Sequence, residues 1–183
     1  MERNTIKSYP SQIYTQAAVE AILTLYSRGL RAEQIQTLTL YGHSSVCGGV
    51  QGSDSSYAPL NRGAADHSTP FVMSMALLSG QFTLREYQHS PWFDPVVINL
   101  MSKIKLIIDP KRDAEMKRKG NLGVKLVATL INGHIMETVI DQPKGHPDNP
   151  FGKDDLLKKI AWLLEDVASS DMASDILEYC CKI

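Results

Sequence analysis

A helix that is apolar on nearly every side has to be enclosed by the rest of its chain, and Phe71-Val72-Met73-Ser74-Met75-Ala76-Leu77-Leu78 describes one. Ser68 or Thr69 is placed to accept its first free amide, Pro70 suits its first turn, and Gly80 is a natural stop. Phe71, Met75 and Leu78 recur at intervals of four and three, and Val72, Ala76 and Leu77 widen that stripe. The segment is therefore predicted to be a short, deeply buried core helix. Before it stand Ala64-Ala65-Asp66-His67, after a long loop rich in glycine and serine. Two readings are open there. The free amides of a helix N-terminus would receive an anionic ligand beside Asp66 and His67. Alternatively, Asp66 caps and His67 is a partly buried histidine satisfied by a backbone carbonyl.

The periodicity elsewhere points to helices and strands in alternation. Gln16 to Arg28 reads as a helix with Ala18, Ile22 and Leu25 on one face and Gly29 at its end. From Ile35 to Tyr41 the period becomes two, with Leu38 and Leu40 facing inward, as in a strand. Gly42 to Gly63 is the least regular segment. Its Gly48-Gly49-Val50-Gln51-Gly52 lacks the helix start that a dinucleotide fingerprint requires, since Ser53-Asp54-Ser55-Ser56 follows. Thr83 caps a turn through Tyr87, Asp94-Pro95 opens a helix containing Val96, Val97, Leu100 and Met101, and Ile104 to Ile108 suits a strand. Asp109 to Asn121 reads as a charged, solvated surface loop. Val124 to Leu130 and Ile135 to Ile140 flank Asn132-Gly133, the preferred pair for a type I′ hairpin turn. A proline-rich loop, Gln142 to Pro150, follows. Two helices close the chain: Asp154 to Val167, then one capped by Ser170 that contains Met172, Ile176, Leu177 and Cys180. Strands in two regions with helices between them predict an α+β fold, a small antiparallel sheet with packed helices.

Composition removes several classes of function. At 183 residues, with 43% apolar and 21% charged, the chain is long enough for one well-buried domain with an appended helical piece. A formal net charge of -1 offers nothing to nucleic acid or to an anionic membrane. No apolar run reaches bilayer length, and Met1-Glu2-Arg3-Asn4-Thr5 has no signal core, so a cytoplasmic home is expected, or a mitochondrial one in a eukaryote. The three cysteines, Cys47 and the adjacent Cys180-Cys181, match neither a disulfide framework nor zinc-ligand spacing. Triad order, Walker loop and zinc helix are all missing from the sequence. What remains is a set of cationic and titratable side chains in loops: Lys7 beside Tyr9-Pro10, Arg62 and His67 around the helix mouth, and Lys144 with His146. A polycarboxylate ligand needs several such groups, and histidine moves protons near neutrality.

Lys7-Ser8-Tyr9-Pro10-Ser11 followed by Thr15-Gln16-Ala17-Ala18-Val19-Glu20-Ala21 resembles the segment that opens the second domain in the MmgE/PrpD family. Ala65-Asp66-His67-Ser68-Thr69-Pro70-Phe71 with Ala76-Leu77-Leu78-Ser79-Gly80 is similar to that family's A-D-H-S-x-x-Y…A-x-L-x-G signature. Asp94-Pro95…Leu100-Met101, the Asn132-Gly133 hairpin and Lys144-Gly145-His146-Pro147…Asn149-Pro150 follow in the family's order.

The resemblance implies an α+β lid-like domain over residues 1–150. It implies C-terminal helices over 151–183 that in the family pack on a large helical N-terminal domain lying outside this sequence. It further implies part of a cofactor-independent, metal-free lyase acting on a small di- or tricarboxylate, most like 2-methylcitrate dehydratase and its place in propionate catabolism. The decarboxylase and epimerase branches, or a non-catalytic lid remnant serving dimerisation, are the alternatives. Expected partners are the carboxylate substrate, a helical domain or subunit of the same family and a second copy of the chain, with no nucleic acid and no membrane. Carried over by motif, Lys7 and His67 are the catalytic candidates, Lys7 as a carboxylate contact and His67 as a proton-handling group. Lys7, Arg62, Lys144 and His146 are the substrate-binding candidates. The sequence departs from the pattern at Gln12, where the decarboxylase branch can have a histidine, at Gln16, where many members have one, and at Phe71, which replaces the common tyrosine.

Overall fold

A computed structural model describes residues 4–164 together with 172, 175, 176, 178 and 179. The chain divides into two compact units, one spanning Tyr9–Pro143 and the other combining segments from residues 1–8 and 144–183.

The larger unit begins its regular structure with helix α1 (Gln16–Ser27), whose Ala17, Ala18, Ala21, Ile22 and Leu25 are buried and which gives way at Gly29, in the left-handed region at φ 99°. Strand β1 (Ile35–Gly42) follows, with Leu38 and Leu40 fully buried as the alternation predicts. The stretch from 42 to 63, read as irregular, is instead wound into single turns. These are helices α2 (Ser44–Cys47) and α3 (Gly49–Gly52) and a 3-10 turn at Asp54–Tyr57. Such turns satisfy their own backbone groups locally and need no hydrophobic period, so the period could not show them. Helices α4 (Arg62–Asp66) and α5 (Thr69–Ser79) come next, then α6 (Pro95–Ser102), opened by Asp94, whose carboxylate accepts the Val96 amide.

Strand β2 (Ile104–Ile108) returns beside β1, running parallel to it with Leu40 opposite Leu106. A parallel pair requires a long crossover, and the segment holding α2 to α6 supplies it. Helix α7 (Pro110–Lys119) leads to strands β3 (Val124–Leu130) and β4 (Ile135–Ile140). The sheet order is β2-β1-β3-β4, with β1/β3 and β3/β4 antiparallel. The α+β class is as predicted; the sheet is mixed, because the two strand regions join through the parallel β1/β2 pair. Helix α1 packs on α5 and across β3 and β4, and α5 packs on α6.

Three further expectations are corrected. Residues 109 to 121 are not a loop: Asp109 caps α7 by accepting the Lys111 and Arg112 amides, and Gly120 closes it in the left-handed region at φ 71°. With no apolar stripe, α7 gives no periodic signal, and its caps alone announce it. The hairpin turn is not type I′, which would need Asn132 in the left-handed region. Among the described non-glycine residues only His89 and Ser90 have positive φ, and Gly133 alone in the turn does, at 83°. Gly133 N–H donates to Leu130 O and Leu130 N–H to His134 O, the pattern of a three-residue loop closed by a glycine bulge. Finally, Leu78, read as part of the buried stripe of α5, is 36% exposed, although Phe71 to Ser74, Ala76 and Leu77 are buried as a core helix requires.

In the smaller unit the Ile6 amide donates to Gly145 O at 2.9 Å and Ser8 Oγ to Lys144 O at 2.8 Å, so residues 6–8 and 144–145 run side by side. Helix α8 (Lys153–Leu164) follows, with none of its residues fully buried. Of the last predicted helix, Met172 and Ile176 are helical and exposed, whereas Ser170, Leu177 and Cys180 lie outside the described residues.

Candidate functional site

In the larger unit the polar residues gather where three short elements meet. Asn61 accepts the Ala64 amide through its side chain and so opens α4, whose C-terminal cap is His67. The next residue, Ser68, is already the cap of α5: its Oγ accepts the Phe71 amide at 3.0 Å and donates to Ser56 O at 2.5 Å. Ser68 and Thr69 are fully buried, and Thr69 Oγ1 donates to Val46 O. The mouth of α5 is therefore filled by protein, and it is no port for an anion. His67 stands one residue outside it, with its side chain 44% exposed.

The imidazole of His67 is held by two acceptors on the same ring nitrogen. Nδ1 lies 3.0 Å from Gly63 O and also contacts Asp66 Oδ1. Two acceptors at one nitrogen place the proton on Nδ1 in the neutral ring, leaving the lone pair on Nε2. Of the two readings of the sequence, the second holds for His67, which a backbone carbonyl satisfies, whereas Asp66 contacts the ring and leaves the capping of α5 to Ser68. Close by, the Asp66 carbonyl accepts the Gln12 amide at 3.1 Å, which brings the turn after Tyr9 to the Asp66-His67 pair. Gln16 braces that turn from α1. Its buried amide accepts the Tyr9 N–H at 3.0 Å and donates to Tyr9 O at 3.1 Å and Ser11 Oγ at 3.0 Å.

Arg62 lies over the ring of Tyr87 at 5.3 Å, and Tyr87 Oη donates to Pro10 O at 2.9 Å. Burial first, and then the charge of Asp66, push the Tyr87 phenol well above its ordinary range, so it stays protonated. Phe71, at the position where the family commonly has tyrosine, is fully buried, with ring centroids 5.8 Å from Tyr87 and 6.3 Å from Trp92. Its ring belongs to the core.

The smaller unit holds Lys7, Lys144 and His146. Lys144 Nζ is ion-paired with Asp155 Oδ2 at 3.1 Å, and that carboxylate also accepts the Gly152 amide at 2.9 Å. His146 is 7% exposed, its Nδ1 accepting the Asp148 amide at 3.1 Å, so the imidazole shapes its own loop. The carbonyl of Lys7, which is itself exposed, accepts from Lys159 Nζ at 2.8 Å. Arg62 and His67 thus share one unit, and Lys7, Lys144 and His146 the other.

Tyr87, Asp155 and Lys159 enter these arrangements without a signal in the sequence strong enough to single out their roles, and Gln12 and Gln16 stand out there only as departures from the family pattern. Among the described residues no group of three or more His, Cys, Asp or Glu is arranged to hold a metal ion, and no helix is long and apolar enough to cross a membrane.

A lid-type α+β domain carrying a histidine oriented by a neighbouring carboxylate is the class that the fold and these residues define. The family profile described as "MmgE/PrpD C-terminal domain" matches residues 9–182, and the chain belongs to that family. It is 28% identical over 154 residues to the 2-methylcitrate dehydratase of Cupriavidus necator, covering 80% of this chain and 31% of that protein. It is likewise 28% identical over 147 residues to the 2-methylcitrate dehydratase of Salmonella typhimurium, covering 76% of this chain and 30% of that one. A probable 2-methylcitrate dehydratase of Saccharomyces cerevisiae is 24% identical over 146 residues, 76% of this chain and 28% of its own length. The chain spans less than a third of the length of these curated relatives.

Proposed function

We propose that this chain forms part of a cofactor-independent lyase that removes water from a small di- or tricarboxylate, most like 2-methylcitrate. The names of its relatives support the substrate class, and the observation that carries the chemistry is the His67 arrangement. An exposed imidazole whose Nδ1–H is engaged by Gly63 O and Asp66 presents Nε2 as a base with a fixed ring plane. In the elimination, a base takes the proton on the carbon alpha to a carboxylate while an acid assists departure of hydroxide from the neighbouring carbon. His67 Nε2 is the base in this reading, and Asp66 stabilises the imidazolium that forms. Cationic side chains hold the substrate carboxylates and the charge that develops on them; Arg62, in the same unit as His67, is one candidate, and Lys7 and Lys144 are carried as candidates by their family motifs alone. The helical domain of the family, as a separate polypeptide or as further sequence, supplies the remaining groups.

The test is turnover of 2-methylcitrate by the chain alone and after addition of a helical domain from the family. Turnover is expected in at least the second setting, falling by about 10²–10⁴-fold in His67→Ala. No turnover in either setting would overturn the proposal.

A further inference from the structure

Arg62 precedes Asp66 on α4 by one helical turn, the spacing at which opposite charges on a helix pair with each other, yet among the described residues no carboxylate is paired with it. Asp66 Oδ1 contacts His67 Nδ1 instead. The Arg62 guanidinium rests over the Tyr87 ring, its carbon 5.3 Å from the ring centroid. A guanidinium held by its flat face keeps its N–H groups free in its own plane, the geometry that grips a carboxylate through two parallel bonds.

Tyr87 is a firm support for that cation. It is 5% exposed, its ring packs edge-on against Phe82 at 5.4 Å and tilted against Phe71 at 5.8 Å, and its hydroxyl donates to Pro10 O at 2.9 Å. Beyond Pro10 in the same turn, the Gln12 amide donates to Asp66 O at 3.1 Å. The guanidinium and the Asp66-His67 pair thus stand on one short turn, the first through the Tyr87 ring and the second through the Asp66 carbonyl.

We infer that Tyr87 is a positioning residue for carboxylate binding: the face of its ring holds Arg62 as the anchor for one carboxylate of the substrate beside His67. The inference rests on the proposed di- or tricarboxylate substrate and singles out one of its candidate cations. Two effects support it. A stacked guanidinium loses less side-chain freedom on meeting a ligand than one ranging through solvent. It also meets the carboxylate without first leaving another anion, a break that an Arg62–Asp66 pair would have required.

The experiment is calorimetric titration of the full chain with citrate, alone and after addition of a helical domain from the family. The variants are Arg62→Met, Tyr87→Leu, Tyr87→Phe, and Arg62→Met combined with Tyr87→Leu. Citrate affinity is expected to fall about tenfold in Arg62→Met and about fivefold in Tyr87→Leu, and to stay within about threefold of wild type in Tyr87→Phe, which keeps the ring face. In the double variant it should fall no further than in Arg62→Met, because Tyr87 acts through the guanidinium. A merely structural Tyr87 would instead weaken binding by the same factor in both backgrounds, and that result overturns the inference. Nitrogen relaxation of Arg62 Nε by NMR needs no Tyr87 variant to fold. In wild type it should report a more rigid group than the Nε of exposed Arg118, and equal mobility would overturn the inference as well. If wild type binds citrate and Arg62→Met matches it, the inference fails and the proposed substrate class stands. If wild type binds no citrate in either setting, both fail together.

Discussion

Helices α5 and α7 are built with the same punctuation and opposite surroundings. Each begins with a side-chain cap, Ser68 or Asp109, and carries a proline in its first turn, Pro70 or Pro110. Each ends on a glycine in the left-handed region, Gly80 at φ 70° and Gly120 at φ 71°. Between the caps, α5 is buried over most of its surface, whereas α7 buries no residue and is held by Asp109, by the Asp113–Lys117 pair at 2.7 Å and by the Ser44 amide donating to Asp113 at 2.8 Å. Lys117 and then Ser44 hold the Asp113 carboxyl well below the usual carboxylate range. Caps therefore decide where a helix starts and stops, and packing decides what its loss costs.

The largest expected effect is on the buried member. Phe71→Ala removes a fully buried ring from the cluster with Tyr87 and Trp92, and should destabilise the larger unit by about 3–5 kcal/mol in urea unfolding. Nothing comparable is available to remove from α7. Its exposed Ala114 replaced by glycine should cost only about 1 kcal/mol in the same measurement.

Acid should distinguish the core from the surface next. His43, at the end of β1, is fully buried, and neither ring nitrogen has a hydrogen-bond partner among the described residues. Burial pushes its imidazole down from 6.5 to about 4, against the opposing charge of Asp113. The unfolded chain thus takes up a proton on this residue below about pH 6.5, and the folded chain only below about 4. Stability should fall as the pH drops through that window, by at most about 3 kcal/mol, and be insensitive to this residue above it. Chemical denaturation of His43→Leu across the same pH range should show a correspondingly shallower slope.

The two terminal glycines give a smaller and sharper contrast. A Cβ at Gly80 would stand 2.5 Å from the Tyr26 ring, whereas one at Gly120 would meet nothing within 4 Å. Gly120→Ala should cost only the left-handed backbone penalty, about 1–2 kcal/mol. Gly80→Ala should cost more, because the Tyr26 ring, stacked under Arg31 at 4.0 Å, has to move as well. Equal thermal melting of the two variants would break the comparison. As small as the Ala114→Gly effect, Asp109→Ala should lower stability by about 1 kcal/mol, read as fraying of α7 in amide hydrogen exchange while α5 keeps its protection.

The same contrast explains which parts of the molecule were legible beforehand. Local chemistry was: the caps of α5, the break at Gly29, the alternation that buries Leu38 and Leu40, and the two strands of the hairpin. Helix α7 has caps as good as those of α5, but a solvated helix carries no apolar periodicity, the signal that separates a helix from a charged loop in sequence. The Asp66-His67 pair could be found as a motif. The closed mouth of α5 could not, since Ser56 O and Val46 O, which receive the Ser68 and Thr69 hydroxyls, lie 12 and 23 positions away in sequence. Lys7 and Lys144 were visible as loop cations, but nothing local indicates that α8 holds the first by its carbonyl and the second by its side chain.

By itself, then, the sequence determined what neighbouring residues decide between them: helix ends, strand alternation, the α+β class and the family signature around His67. Tertiary structure alone decided which side of α5 is inward, because a helix apolar all round has no face until others pack on it. It also decided that β1 and β2 run parallel, that Ser56 and Val46 close the mouth of α5, and that Lys159 reaches Lys7. Each of these depends on contacts closed across long loops, whose energies are settled only when the whole chain has folded around them.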